Sequence, residues 1–149
     1  MIFDRSQNDV IESIRIRNEK IKKFIELTNA EKEILEKGFL TINTINRIES
    51  KQEELKNRFN EIGYYNTPTE NKSWSKGDIF FDEDFKRILN NNILLRDSFF
   101  ETSDMPQNDI GIYGFEEINK IEKILNDLEL SLEFVKSNYK ICGTFKCGE

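Results

Sequence analysis

Three segments of the sequence carry apolar residues at the three- and four-residue spacing of an amphipathic helix, and they align without a gap. The closest pair reads INRIE at 45–49 and INKIE at 118–122. The alignment matches Ile45 with Phe85 and Ile118, Ile48 with Ile88 and Ile121, Leu55 with Leu95 and Leu128, and Arg47 with Arg87 and Lys120. Packing surfaces are reused within a chain more often than catalytic sites, so the repeat indicates architecture. The alternative is chance agreement among isoleucine-rich helices.

This patterning predicts a mainly α fold with about four amphipathic helices. We expect one long N-terminal helix over residues 1–38, with Gly38 as the residue that stops it. Residues 39–138 should form a compact, repeat-like bundle of three helices that begin near Thr41 or Asn43, at an Asp82 cap, and near Gly114. Residues 139–149 alternate in polarity and predict a short extended segment.

The positions that we expect to form the core or the assembly surface share the three aligned stripes. They are Ile45, Ile48, Ile88, Ile118, Ile121, Leu125 and Leu128. The last helix has the most regular stripe, which is typical of coiled-coil packing.

A second set of residues is predicted to lie at an interface. The connector at residues 63–81 is too aromatic for a free linker, so we expect an ordered loop that packs through Tyr64, Tyr65 and Trp74. The alternative is a face on which these rings stack against sugars. In the C-terminal segment the corresponding residues are Tyr139, Ile141 and Phe145. A lone strand leaves its backbone unpaired, so we expect it to join a neighbouring subunit.

Charge and composition exclude several classes of partner. The formal net charge is −6, and residues 101–149 hold five Lys against ten Asp and Glu, so nearly all of the acidic excess lies in the last third. Coating nucleic acid requires clustered basic residues, so a nucleic-acid partner is disfavoured. No apolar run approaches the roughly 20 residues of a membrane span, and no signal peptide is visible, so we expect synthesis in the cytoplasm and no membrane partner.

The sequence offers little catalytic chemistry. It contains no histidine, which removes the usual general base and the usual zinc nitrogen ligand. Cys142 and Cys147 are open to three interpretations: two small side chains, a disulfide, or half of a metal site shared between subunits. The acidic clusters Asp82-Glu83-Asp84 and Glu116-Glu117 open predicted helices, where they favour the helix dipole. We therefore predict no catalytic residue, no metal and no cofactor.

Residues 40–149 resemble small modules from the tails and baseplates of phages and prophages of low-GC Gram-positive bacteria. In those modules a helix of the form LNRIE precedes an LGY turn, as Ile45–Glu49 precedes Ile62-Gly63-Tyr64 here. A Trp-centred loop then leads into an acidic-capped helix, as at 72–74 and 82–88, and an Asn-Lys-Ile-Glu-Lys-Ile-Leu helix precedes a final Gly-Glu, as at 119–125 and 148–149. Phe80-Phe81 departs from the Pro-Thr that such modules carry before the third helix.

The resemblance implies a structural subunit of a phage tail, baseplate, tail fibre or tailocin, and not an enzyme. Its partners would be other tail or baseplate proteins and further copies of itself as a homo-oligomer. It would reside in the virion tail, after a period in the host cytoplasm. The alternative is a small acidic cytosolic binding module or an inhibitor of a host enzyme, because an acidic surface can mimic nucleic acid.

Overall fold

The computed structural model describes residues 1–65, 68, 70–99, 105–106 and 114–142, with side chains as far as residue 138. The described residues form five α-helices and contain no β-strand: α1 (Gln7–Glu19), α2 (Asn29–Gly38), α3 (Ile42–Glu61), α4 (Asp82–Asp97) and α5 (Phe115–Cys142). A 3₁₀ turn, Ile21–Lys23, follows α1. The predicted mainly α class is confirmed, with five helices in place of about four.

The extra helix arises because the predicted long N-terminal helix is wrong. The chain leaves α1 through the 3₁₀ turn, and Phe24 adopts a left-handed conformation with φ of 56°. Thr28 then caps α2: its hydroxyl accepts from the Glu31 amide at 3.3 Å, and the Glu31 carboxylate accepts from the Thr28 amide at 2.9 Å. This reciprocal pair is a capping box, a helix-start signal written as Thr-x-x-Glu in the sequence.

Helices α1 and α2 fold back on each other as an antiparallel hairpin. The Ser13 hydroxyl of α1 donates to the carbonyl oxygen of Ile34 at 2.8 Å. A Cβ atom on Gly38 would lie 1.9 Å from Ser13 Oγ and 2.3 Å from the Asp9 carbonyl oxygen. Gly38 is the last residue of α2, so it is needed for this close approach and is not the residue beyond the helix end that the sequence suggested.

The boundaries of α3 follow from its caps. The Thr41 hydroxyl accepts from the Thr44 amide at 3.2 Å, which selects Thr41 from the two predicted caps. At the other end, Gly63 has φ of +87°, and the Tyr64 amide donates to the Phe59 carbonyl oxygen at 2.9 Å. That six-to-one hydrogen bond with a left-handed glycine is the Schellman arrangement.

Helix α4 begins one residue away from its predicted cap. Phe81 takes the cap position, and Asp82 is the first helical residue. The cap contact comes from Asp84, whose carboxylate accepts from the Phe81 amide at 3.1 Å. The acidic first turn thus satisfies an otherwise unpaired amide.

Helices α3 and α5 run in the same direction. Near their first turns, Arg47 Nε donates to Glu122 Oε1 at 2.9 Å. Near their last turns, Lys136 Nζ lies 3.5 Å from Glu61 Oε2. Since early residues contact early residues and late residues contact late ones, the pair is parallel.

Helix α4 has the same direction as α3. The Arg87 guanidinium lies 2.6 Å from the Glu49 carboxylate near the start of both helices, and the rings of Phe59 and Phe99 stack with centroids 4.7 Å apart at the end. The three helices therefore form a parallel bundle within one chain. Long connections must return the chain to the starting end twice, which explains the lengths of the segments at 62–81 and 98–114.

The apolar and amide positions that align among the three helices are all buried, and the parallel packing places them at matching levels of the bundle. The layers are Ile45-Phe85-Ile118, Ile48-Ile88-Ile121, Gln52-Asn92-Leu125, Leu55-Leu95-Leu128 and Phe59-Phe99-Leu132. Their spacing alternates three and four residues, as in a coiled coil. The predicted three-fold repeat thus corresponds to pseudo-three-fold packing of the bundle.

The central layer is polar. Gln52 Nε2 donates to the Ile88 carbonyl oxygen at 2.8 Å, while Gln52 Oε1 and both polar atoms of the Asn92 amide have no partner among the described residues. Buried amides in a coiled-coil core lower stability and fix register.

The predicted extended segment at 139–149 is wrong at its start, because α5 continues as a helix through Cys142. Residues 143–149 lie outside the described residues. Helix α5 therefore extends further along the chain than the alternating pattern suggested.

Candidate functional site: two Asn-Glu clamps

The seven predicted core positions all belong to one buried cluster of the bundle. Among the predicted interface residues, Trp74 packs on that cluster and Tyr64 meets Phe99 edge-on at 5.2 Å, whereas Tyr65 is exposed. The side chains of Tyr139, Ile141, Cys142, Phe145 and Cys147 lie outside the described residues. The two aromatics that contact the core fit the anchoring interpretation of the loop.

The first functional arrangement, here termed the α3 clamp, consists of Asn46 and Glu49 within the INRIE sequence. Asn46 Oδ1 accepts from the Trp74 amide at 2.8 Å, and Asn46 Nδ2 donates to the Trp74 carbonyl oxygen at 2.8 Å. Glu49 Oε1 accepts from the Trp74 indole at 2.7 Å, and Glu49 Oε2 accepts from the Lys72 amide. One turn of α3 thus holds an extended segment by its backbone and by one side chain.

A basic residue from the neighbouring helix completes the α3 clamp. Arg87 of α4 donates to both Glu49 oxygens, at 2.9 Å and 2.6 Å. Such two-pronged pairing is the strongest geometry available to an arginine and a carboxylate. The Glu49 side chain is 1% exposed, so its charge is balanced almost wholly by groups of this chain.

The second arrangement, the α5 clamp, consists of Asn119 and Glu122 within the INKIE sequence. Asn119 Oδ1 accepts from the Arg5 amide at 3.1 Å, and Asn119 Nδ2 donates to the Arg5 carbonyl oxygen at 2.9 Å. Glu122 Oε2 accepts from the Arg5 guanidinium at 2.8 Å and from the Ile2 amide at 2.9 Å. Arg47 of α3 supplies the neighbouring cation.

The two clamps use the same kinds of contact and differ in detail. In each clamp, the Asn side chain hydrogen-bonds to both the amide and the carbonyl oxygen of one residue. The side chain of that residue donates to the Glu, and an amide earlier in the chain donates to the same Glu. The basic residue comes from the repeat position of the next helix, Arg87 or Arg47. This equivalence explains why the sequence contains INRIE and INKIE.

The upstream amide is that of Ile2, three residues before Arg5, in one clamp and that of Lys72, two residues before Trp74, in the other. Arg87 contacts both oxygens of Glu49, whereas Arg47 contacts one oxygen of Glu122.

The held segments are themselves related. Ser6 N donates to Asp9 Oδ2 at 2.8 Å, and Ser75 N donates to Asp78 Oδ2 at 2.6 Å, so each segment ends in the same local turn. The sequence reads RSQNDV at 5–10, WSKGDI at 74–79 and MPQNDI at 105–110. Sequence reasoning did not find this second repeat, although the QND pair at 7–9 and 107–109 was a visible signal.

Helix α4 has no Asn-Glu pair at the aligned positions. Lys86 and Leu89 occupy the positions that align with the Asn and the Glu. In the third related segment, Met105 stands where Arg5 and Trp74 stand, and it is buried at 4% exposure. At these repeat positions helix α4 has an apolar Leu and its related segment has an apolar Met. In the two clamps, the residues at the same positions are joined by a hydrogen bond.

Two members of the acidic cluster at 82–84 have basic partners: Asp82 pairs with Lys86 and Asp84 with Lys72. Besides accepting from the Phe81 amide, Asp84 pairs with Lys72, and that hydrogen bond lowers the pKa of the Asp84 carboxyl. Among the described residues there is no group of three or more His, Cys, Asp or Glu side chains that could hold a metal ion. Both clamps hold segments of the chain in place, which is a structural role.

An apolar pocket of about 490 Å³ lies between the base of the hairpin and the starting end of the bundle. Its aromatic and aliphatic lining comprises Val10, Phe39, Leu40, Phe80, Phe81, Phe85, Phe115 and Ile118. It is open to solvent and lies beside the N-terminal segment that the α5 clamp holds, since Arg5 also lines it.

Comparison with protein-family models, with curated proteins and with solved structures finds no match to this chain. None of the helices in the described ranges is both long enough and apolar enough to cross a membrane.

Proposed function

We propose that the chain is a structural subunit of a phage tail, baseplate or tail fibre, or of a tailocin, and that it acts by protein-protein assembly. The observation that supports the proposal is that the clamp residues are also the residues of the tail-module motifs. The motifs of the tail-module resemblance, at 45–49, 72–74 and 119–122, are the stretches that form the α3 clamp, the segment it holds and the α5 clamp. The resemblance therefore rests on residues with a demonstrable role in the fold.

The distribution of buried charge supports a building block over an enzyme. The fully buried carboxylates Glu49 and Glu122 each contact an arginine and at least one backbone amide. A catalytic acid or base must be reachable by substrate, and these two are enclosed by the segments they hold. As partners we propose other tail or baseplate proteins and further copies of the chain.

The alternative, a small acidic binding module or inhibitor of a host enzyme, has weaker support. The acidic excess of the last third includes Glu122, Glu129 and Glu133, which pair with basic residues of α3. A carboxylate that already pairs with a basic residue of the same chain contributes little to an acidic surface that could mimic nucleic acid.

Purified particles provide the test. Antibodies raised against the recombinant chain should detect it in phage or tailocin particles isolated by density gradient from induced cultures, and gold labelling should place it on the tail. A cytosolic enzyme of the same cells serves as the contamination control. Detection only in the particle-free cell extract would contradict the proposal.

A further inference from the structure

The tip of the N-terminal hairpin carries an aromatic side chain that the fold does not use. Phe24 is 98% exposed, and among the described residues it is the one non-glycine residue with positive φ. The Ile25 amide donates to the Lys20 carbonyl oxygen at 3.0 Å, and the Phe24 amide donates to the Ile21 carbonyl oxygen at 3.1 Å. These bonds place Phe24 where a helix-ending motif favours glycine.

The backbone conformation and the lack of side-chain burial at this position both disfavour a phenylalanine. A side chain with a Cβ is strained in the left-handed region, and a fully exposed ring buries no apolar surface within its own chain. Ile21 and Ile25 beside it are 42% and 49% exposed, so the tip presents a small apolar knob. Phe24 gains burial only from a contact outside the chain, and such a contact would also cover the exposed parts of Ile21 and Ile25.

The same chain carries a matching cavity. The 490 Å³ pocket described above is lined by five phenylalanines and one leucine among other residues. A dry cavity of about 150 Å³ suffices for a benzene ring, so the pocket has room for Phe24 and an isoleucine beside it. The pocket contacts the first turn of α1 and the end of α2, whereas Phe24 lies at the other end of the hairpin, about 20 Å along α1.

The charges around knob and pocket are complementary. Lys22 and Lys23 directly precede Phe24 and are exposed, and exposed Glu26 follows it, so the tip carries a net positive charge. Asp82 lines the pocket and pairs with Lys86, while exposed Glu83 and Glu116 adjoin lining residues in the chain. Lys37, the other charged group that faces the pocket from the hairpin, is paired with Asp4.

We propose that Phe24 of one copy inserts into the phenylalanine-lined pocket of a second copy. Knob and pocket are different surfaces of the same chain, so the contact is head-to-tail and continues into a filament or closes into a ring. The contact goes beyond the proposed particle role, because it is a property of the purified chain whatever larger structure contains it.

Sedimentation velocity of the full chain tests this contact, from about 1 μM to about 1 mM. The wild-type protein should form species larger than a dimer as concentration rises, and added salt should weaken the association because exposed charges are screened. Phe24→Gly should weaken association at least about ten-fold, the factor expected for removing one buried aromatic side chain. Its thermal midpoint should rise, which shows that the variant is folded.

A pocket variant and a control complete the experiment. Phe81→Lys places a cation in the pocket and should also abolish association. Mixed with Phe24→Gly, it should give a one-to-one heterodimer and nothing larger, because one variant supplies the knob and the other the pocket. Phe134→Ser, which removes a ring 69% exposed on α5, should associate like the wild type. A monomeric wild type, unchanged association of Phe24→Gly, or no heterodimer in the mixture would overturn the proposal.

Discussion

At the scale of single residues, the structure depends on buried charges that lie against opposite charges. Arg5 and Glu122 meet at 2.8 Å with side chains 2% and 0% exposed. Removing charges from water is costly, and the cost is recovered only if the geometry is good and the remaining oxygens are hydrogen-bonded. The backbone amide of Ile2 and the side chain of Arg47 supply those remaining contacts.

Glu122→Ala should therefore destabilise the protein by about 3–5 kcal/mol, the range for removing one partner of a buried pair. The matched control is Glu129→Ala on the same helix, whose pairs with Lys51 and Arg58 are partly exposed and should contribute no more than about 1 kcal/mol. Urea unfolding followed by circular dichroism measures both variants. Equal losses in the two would show that Glu122 does not sit in a buried network.

The residue scale also shows what the sequence could predict. Periodicity alone predicts the apolar core, because residues such as Ile121 and Leu125 repeat at helical spacing and are fully buried. It cannot separate Glu49 and Glu122 from ordinary solvent-facing glutamates. The usable signal was that both Asn and Glu recur at the same places in INRIE and INKIE, which indicates a repeated polar contact.

At the scale of elements, the hairpin shows how capping overrides periodicity. The apolar spacing runs through residues 5–37, yet α1 ends at Glu19, and Thr28 and Glu31 start a second helix. The pKa of Glu31 falls from 4.5 to about 2, because its carboxylate accepts from Lys20 and from the Thr28 backbone and side chain. A capping box involves only the first few residues of a helix, so a pattern of apolar spacing over about thirty residues does not reveal it.

This lowered pKa predicts acid sensitivity at the start of α2. A carboxyl with a folded pKa below its unfolded value stabilises the fold above the unfolded pKa and loses that contribution as pH falls. Stability should decline between about pH 4.5 and about pH 2 as Glu31 takes up its proton. Glu31→Gln should lower stability at neutral pH and flatten this part of the profile, measured by thermal melts at successive pH values. A wild-type slope retained in the variant would assign the acid effect to other groups.

At the scale of the whole molecule, the unexpected feature is the direction of the helices. The repeat predicts similar surfaces on α3, α4 and α5, but sequence periodicity is the same for parallel and antiparallel bundles. What sets the direction is the long crossovers and the segments they carry: the Trp74 segment is held on α3 and leads into α4. The first residues of the chain are held in the same way on α5, which joins the beginning of the chain to its last described helix.

The central claim is that the two repeated motifs are equivalent clamps on two chain segments. Amide hydrogen exchange measured by NMR tests it at four donors: Ile2 and Arg5 at the α5 clamp, and Lys72 and Trp74 at the α3 clamp. Amides held in stable hydrogen bonds exchange slowly, whereas those near a free terminus or in an open loop exchange at unfolded rates.

The account predicts protection of all four amides in the wild-type protein. Asn119→Ala should release Ile2 and Arg5 and leave the Trp74 segment protected, and Asn46→Ala should do the reverse. Exchange of Ile2 and Arg5 at unfolded rates in the wild-type protein, with the Trp74 segment protected, would contradict the equivalence of the two clamps.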